Sequence, residues 1–126
     1  MTREQRNKNA WLWRYRDSLQ ETETLTTSMG KYEIQLIQIA DGCLATPEAI
    51  PDLIHFRIEE CKRKLLALEQ IRKEVADKID SVEDEPSRNI LKSVIIDGNT
   101  ISSLANGDSK DGYCIWAEAL NALTTD

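Results

Sequence analysis

From residue 54 to residue 82 the apolar side chains fall at Ile54, Ile58, Cys61, Leu65, Leu68, Val75, Ile79 and Val82, alternately four and three positions apart, with Arg72 alone interrupting the series. A stripe this narrow is a seam between helices rather than a face buried in a broad core, and it predicts one helix over residues 52–82. The remaining positions carry charges of both signs. Glu60 and Lys64, Glu69 and Lys73, and Glu74 and Lys78 stand at the favourable i, i+4 spacing of a solvated surface. At a rise of 1.5 Å per residue such a helix is ~45 Å long, so a second long element must lie against it.

The N-terminal third supplies one. Thr2 is a candidate N-cap, and Leu12, Tyr15, Leu19, Thr22, Thr26 and Met29 repeat the three-and-four spacing. Trp11, Ser18, Leu25 and Tyr32 flank that line and widen it. Gly30 marks a possible kink, but the apolar density from Tyr32 to Ile39 predicts that the helix resumes and ends near Asp41 and Gly42. Residues 41–52, with Gly42, Pro47 and Pro51, read as the connection, and Pro51 suits the first turn of the next helix.

Past the central helix, Pro86 closes the acidic turn at residues 81–86. A short helix is expected over residues 87–96 through Ile90, Leu91, Val94 and Ile95, ending at Asp97, Gly98 and Asn99. Thr100 is expected to cap a second short helix over Ile101, Leu104 and Ala105, residues 106–112 read as a turn, and a last helix uses Tyr113, Ile115 or Trp116, Leu120 and Leu123. The expected fold is all-α: a long antiparallel, coiled-coil-like helical hairpin (residues 1–82) followed by a small tri-helical unit (residues 83–126).

Charge sharpens this division. The net charge of -6 hides two opposite ends. Residues 1–16 hold Arg3, Arg6, Lys8, Arg14 and Arg16 against Glu4, a net of +4. Residues 82–126 hold Glu83, Asp84, Glu85, Asp97, Asp108, Asp111, Glu118 and Asp126 against Arg88, Lys92 and Lys110, a net of -5. An acidic surface repels a phosphate backbone unless its few cations are gathered on one face.

Composition excludes much chemistry. Cys43, Cys61 and Cys114 are odd in number and set among apolar residues, which reads as reduced thiols in an intracellular protein; Cys61 serves the seam as a small hydrophobe. No secretory leader is legible, no apolar run approaches the ~20 residues of a membrane span, and the expectation is a cytoplasmic protein. With His55 the only histidine, and with no phosphate-binding glycine loop or nucleophile motif, no metal, cofactor, catalytic residue or enzymatic activity is expected. Arg72 on the seam reads as a snorkelling residue or as half of an interhelix pair with a glutamate. Trp11, Trp13, Tyr15, Leu25 and Tyr32 have few expected partners within one hairpin, which predicts a homodimer through the N-terminal helices.

Four runs carry a resemblance: Trp11-Leu-Trp-Arg-Tyr-Arg-Asp17; Ile79-Asp-Ser-Val-Glu-Asp84 before Arg88-Asn-Ile-Leu-Lys92; Ile95-Ile-Asp-Gly-Asn-Thr-Ile-Ser-Ser-Leu-Ala105; and Trp116-Ala-Glu-Ala-Leu-Asn-Ala-Leu123. In this order they resemble small phage and prophage proteins of the ArpU and RinA type, late-gene transcriptional regulators with a helix-turn-helix similar to sigma-factor region four. The resemblance implies transcriptional control inside a bacterial host, with DNA or RNA polymerase as partner. It makes residues 100–105 the supporting helix and residues 109–120 the recognition helix, and assigns nucleic-acid contacts to Ser109, Lys110, Tyr113, Arg88 and Lys92. The chain departs from the family pattern where basic and amide side chains usually begin the recognition helix: here stand Lys110, Asp111 and Gly112. The charge therefore opens a second expectation, a protein-binding inhibitor of the anti-CRISPR kind. In it Glu83, Asp84, Glu85, Asp97, Asp108 and Asp111 occupy a basic channel of a host nucleic-acid enzyme.

Overall fold

The computed structural model describes residues 1–42 and 49–124, with the backbone alone for residues 49 and 109. The connection expected at 41–52, and Cys43 within it, thus lie largely outside the described residues. The chain is all-α, with no strand among the described residues. Its elements are α1 (Arg3–Ala40), α2 (Ala49–Asp80), α3 (Glu85–Leu91), a π-helical turn (Lys92–Ile96), a 3-10 turn (Ile101–Ala105) and α4 (Ser109–Asn121). The two long helices pack together. Their sense is antiparallel, since Ser18 early in α1 meets Arg72 late in α2.

Helix α1 opens with a reciprocal capping box: the Gln5 N–H donates to Thr2 Oγ1 at 3.1 Å, and the Thr2 N–H donates to Gln5 Oε1 at 2.9 Å. It passes Gly30 without a break. The threonine-rich stretch stays helical, and within it Thr24, Thr26 and Thr27 return their hydroxyls to the carbonyls of Gln20, Thr22 and Glu23, one turn back. Its inward line differs from the expected one. Leu12, Tyr15, Ser18, Thr22, Leu25, Met29 and Tyr32 are buried or half-buried, while Leu19 and Thr26 are exposed. Arg72 is the reason: its Nη1 donates to both the carbonyl and the hydroxyl of Ser18 at 3.4 Å, so a small acceptor stands on the seam where a leucine was expected. Arg72 thus reaches across the seam to Ser18 of α1.

Helix α2 buries the expected series as far as Ile79, with Leu65 and Arg72 half-buried, and ends at Asp80, so that Val82 is buried from the following turn. It begins three residues before the expected start. Pro51 sits in its first turn, where a missing N–H is no loss.

The residues gather into two compact units, Met1–Ser18 with Ile71–Asp126, and Leu19–Gln70. This departs from the expected division at 82/83. The first turns of α1 and the end of α2 share a core with the C-terminal helices, formed by Leu12, Val75, Ile79, Val82, Leu91, Val94, Ile95, Trp116, Ala119, Leu120 and Leu123. Of the two alternatives in α4, Trp116 is wholly buried and Ile115 is half-buried. Trp116 Nε1 donates to Asn9 Oδ1 at 2.8 Å, and the same oxygen accepts from Trp13 Nε1 at 3.0 Å. Gln5 Nε2 adds bonds to the Ala117 carbonyl and to Asn121 Oδ1, both 3.0 Å. These polar contacts fasten α1 to α4.

Three local expectations change in the C-terminal segment. Residues 101–105 form a 3-10 turn rather than an α-helix, and the Thr100 hydroxyl meets the Ser102 hydroxyl instead of capping a backbone N–H. The turn expected over 106–112 shrinks to Asn106 and Gly107, both in the left-handed region, because Asp108 caps α4 by accepting from the Lys110 and Asp111 N–H groups. Gly112 therefore lies inside α4.

Candidate functional site

Gly112 decides how the helix-turn-helix-like segment is built. The Ile101 carbonyl occupies the position that a Cβ at residue 112 would need, so the 3-10 turn rests directly on the first turn of α4. This function of Gly112 is absent from a local reading, in which a glycine at a helix start only weakens the helix. On the opposite side α4 is held by Gln5 and Asn9 of α1. What remains open to solvent is a face with Lys110, Asp111, Tyr113, Cys114 and Glu118.

The residues assigned to nucleic acid divide into two groups. Lys110 is exposed, Tyr113 is 50% exposed, and the Ser109 side chain lies outside the described set. Arg88 and Lys92 are not presented with them. Arg88 Nη1 donates to the Val82 carbonyl at 2.9 Å, closing the turn between α2 and α3, and Lys92 Nζ pairs with Asp80 Oδ1 at 2.6 Å. The cations that would have offset the acidic segment are engaged by the chain itself.

The acidic positions also divide. Asp84 caps α3 by accepting from the Ser87 N–H at 3.1 Å. The Ser87 hydroxyl, and secondarily that N–H, hold the Asp84 carboxyl below the usual carboxylate range. Asp108 caps α4, and its carboxylate fills the N-terminal N–H groups that would otherwise be open to a phosphate. Glu83, Glu85, Asp97, Asp111 and Glu118 are exposed, and none forms an ion pair among the described residues. On the exposed part of α4, Asp111 and Glu118 accompany Lys110.

The aromatic residues expected at a dimer interface find partners inside the chain. Trp11, Trp13 and Tyr15 pack against the core of the first unit, because the C-terminal helices return onto the start of α1. Leu25 and Tyr32 are half-buried and line a cleft of the second unit with Ser28, Arg57, Glu60, Cys61 and Lys64. Trp11, Trp13, Tyr15, Leu25 and Tyr32 are thus each half-buried within one chain. The large exposed apolar side chains are instead Leu19, Ile34, Ile37, Leu53, Phe56 and Leu66 in the second unit, and Met1 and Tyr113 in the first.

Cys61 is buried on the seam and Cys114 is exposed on α4. Among the described residues no three His, Cys, Asp or Glu side chains converge in the manner of a metal site, and no helix is long and apolar enough to cross a membrane. The chain matches no protein-family profile, no curated protein and no solved structure. The likeness to late-gene regulators accordingly rests on the four sequence runs alone.

Proposed function

We propose that this chain is a non-enzymatic regulatory protein that acts by docking the acidic face of its C-terminal segment on a basic protein surface, of the kind that lines the nucleic-acid channel of an enzyme. The outer face of α4 carries this reading: Asp111 and Glu118 are exposed on it beside a single exposed cation, Lys110, and Arg88 and Lys92 are turned to intrachain partners. Opposite charges across such an interface accelerate encounter and select the partner, and reversal of rim charges acts mainly on the on-rate. The test is capture from nuclease-treated bacterial lysate by the wild-type chain and by Asp111→Lys/Glu118→Lys. A protein retained by the first and lost with the second is expected; retention that depends on intact nucleic acid, or that ignores the two charges, refutes the reading.

A second reading, a transcriptional regulator that reads DNA through α4, is favoured by one observation. The close packing of the 3-10 turn on Gly112 gives the segment a helix-turn-helix layout with Lys110 and Tyr113 at the exposed start of its last helix. A sequence-preferring gel shift abolished by Lys110→Glu supports it, and no shift at low salt removes it.

A further inference from the structure

Four cations of the first unit are held by the chain itself. Lys8 is buried and reaches Glu4 at 3.4 Å. The Arg16 guanidinium lies against Gly98 and donates to the Ile95 carbonyl, while Arg88 and Lys92 are engaged as described above. Arg3, Arg6 and Arg14 are different: all three are exposed, and none has a carboxylate within ion-pair distance among the described residues.

Their placement on α1 is regular. With 3.6 residues per turn, Arg3, Arg6 and Arg14 fall within an arc of roughly 80° on the side of the helix away from the buried Lys8 and Leu12 line. They share that outer side with the exposed methyl of Ala10, which keeps the surface low between them. The first exposed carboxylate there, Asp17, comes only at the far end of the row. From Arg3 to Arg14 the axis rises ~16 Å, the span of about five phosphates along one strand of a duplex. All three are arginines, whose planar donors fit phosphate oxygens two at a time.

We propose that this row binds the phosphate backbone of duplex DNA without reading its sequence, and that nucleic-acid contact in this protein resides on α1 rather than on α4. A straight helix holds the three guanidinium stems in line, as a regularly spaced polyanion requires. The inference stands independently of the protein-docking reading, whose residues lie on α4.

The experiment is fluorescence anisotropy of the full chain with labelled duplexes of two unrelated sequences. Binding without sequence preference is expected, weakening about 40-fold between about 50 and about 200 mM salt if three phosphates are neutralised. Arg3→Ala/Arg6→Ala/Arg14→Ala should abolish it, Lys110→Ala should leave it unchanged, and Arg3→Lys/Arg6→Lys/Arg14→Lys should restore part of it. Circular dichroism of the triple alanine variant checks that the helices persist; if they do not, the lysine variant decides by binding or failing to bind. The inference is overturned by no binding at low salt, by binding that survives loss of the three arginines, or by loss with Lys110→Ala. It is equally overturned if the row serves instead to bind anionic vesicles or drives charge-dependent self-association in sedimentation.

Discussion

The two units bury their apolar residues to very different depths. In the first, Leu12, Val75, Ile79, Leu91, Ile95, Trp116, Leu120 and Leu123 are each 0% exposed, since helices close around them from several sides. In the second, Ile54, Ile58, Cys61 and Leu68 retain 7–8% exposure, and Ile34, Ile37, Leu53, Phe56 and Leu66 are more than half exposed. A pair of helices covers only one stripe of each partner, whereas the added segments of the first unit build a true interior. One continuous stripe along α2 therefore serves two environments.

The largest expected difference follows from that contrast. Trp116→Ala should destabilise the chain by about 3–5 kcal/mol, and Ile58→Ala should cost less, near the ~2 kcal/mol lower end for large-to-small changes, because its site is already partly open. Urea unfolding of the two variants measures this, and equal losses would erase the distinction. Hydrogen exchange should agree, with amides of residues 19–70 exchanging sooner than those of the first unit.

Two glycines sharpen the comparison with opposite signs. Gly112→Ala forces a methyl into the Ile101 carbonyl and should destabilise by about 1–3 kcal/mol or more. Gly30→Ala meets nothing within 4 Å in mid-helix and should stabilise by about 0.5–1 kcal/mol. Thermal melts of both variants are the check.

The smallest effect is a pH dependence confined to the first unit. The Asp84 carboxyl is lowered from 3.8, so the unfolded chain binds its proton more readily than the folded one. Its contribution is complete above pH 3.8 and is lost as pH falls through the lower folded value. Asp84→Ala should lower the melting temperature slightly at neutral pH, and its curve should converge on the wild-type curve in acid.

Much of the helical layout was legible in the amino-acid order. The stripe from Ile54 to Val82, the cap at Thr2, the helix start at Pro86 and the inward Leu91, Val94 and Ile95 all arise from periodicity and capping within a few residues. Such signals are local and survive without knowledge of distant partners. Tertiary structure alone decided the rest. Whether Ser18 or Leu19 faces the seam depends on Arg72, 54 residues away in the chain. That Trp11, Trp13 and Tyr15 lie against a core depends on the C-terminal helices returning to α1. Lys92 and Arg88 read as free cations until Asp80 and the Val82 carbonyl are brought to them. Gly112 reads as a defect until Ile101 is placed against it. A charge or a glycine in sequence states what a position offers; only the folded chain determines whether that offer is taken up inside the molecule or left for a partner.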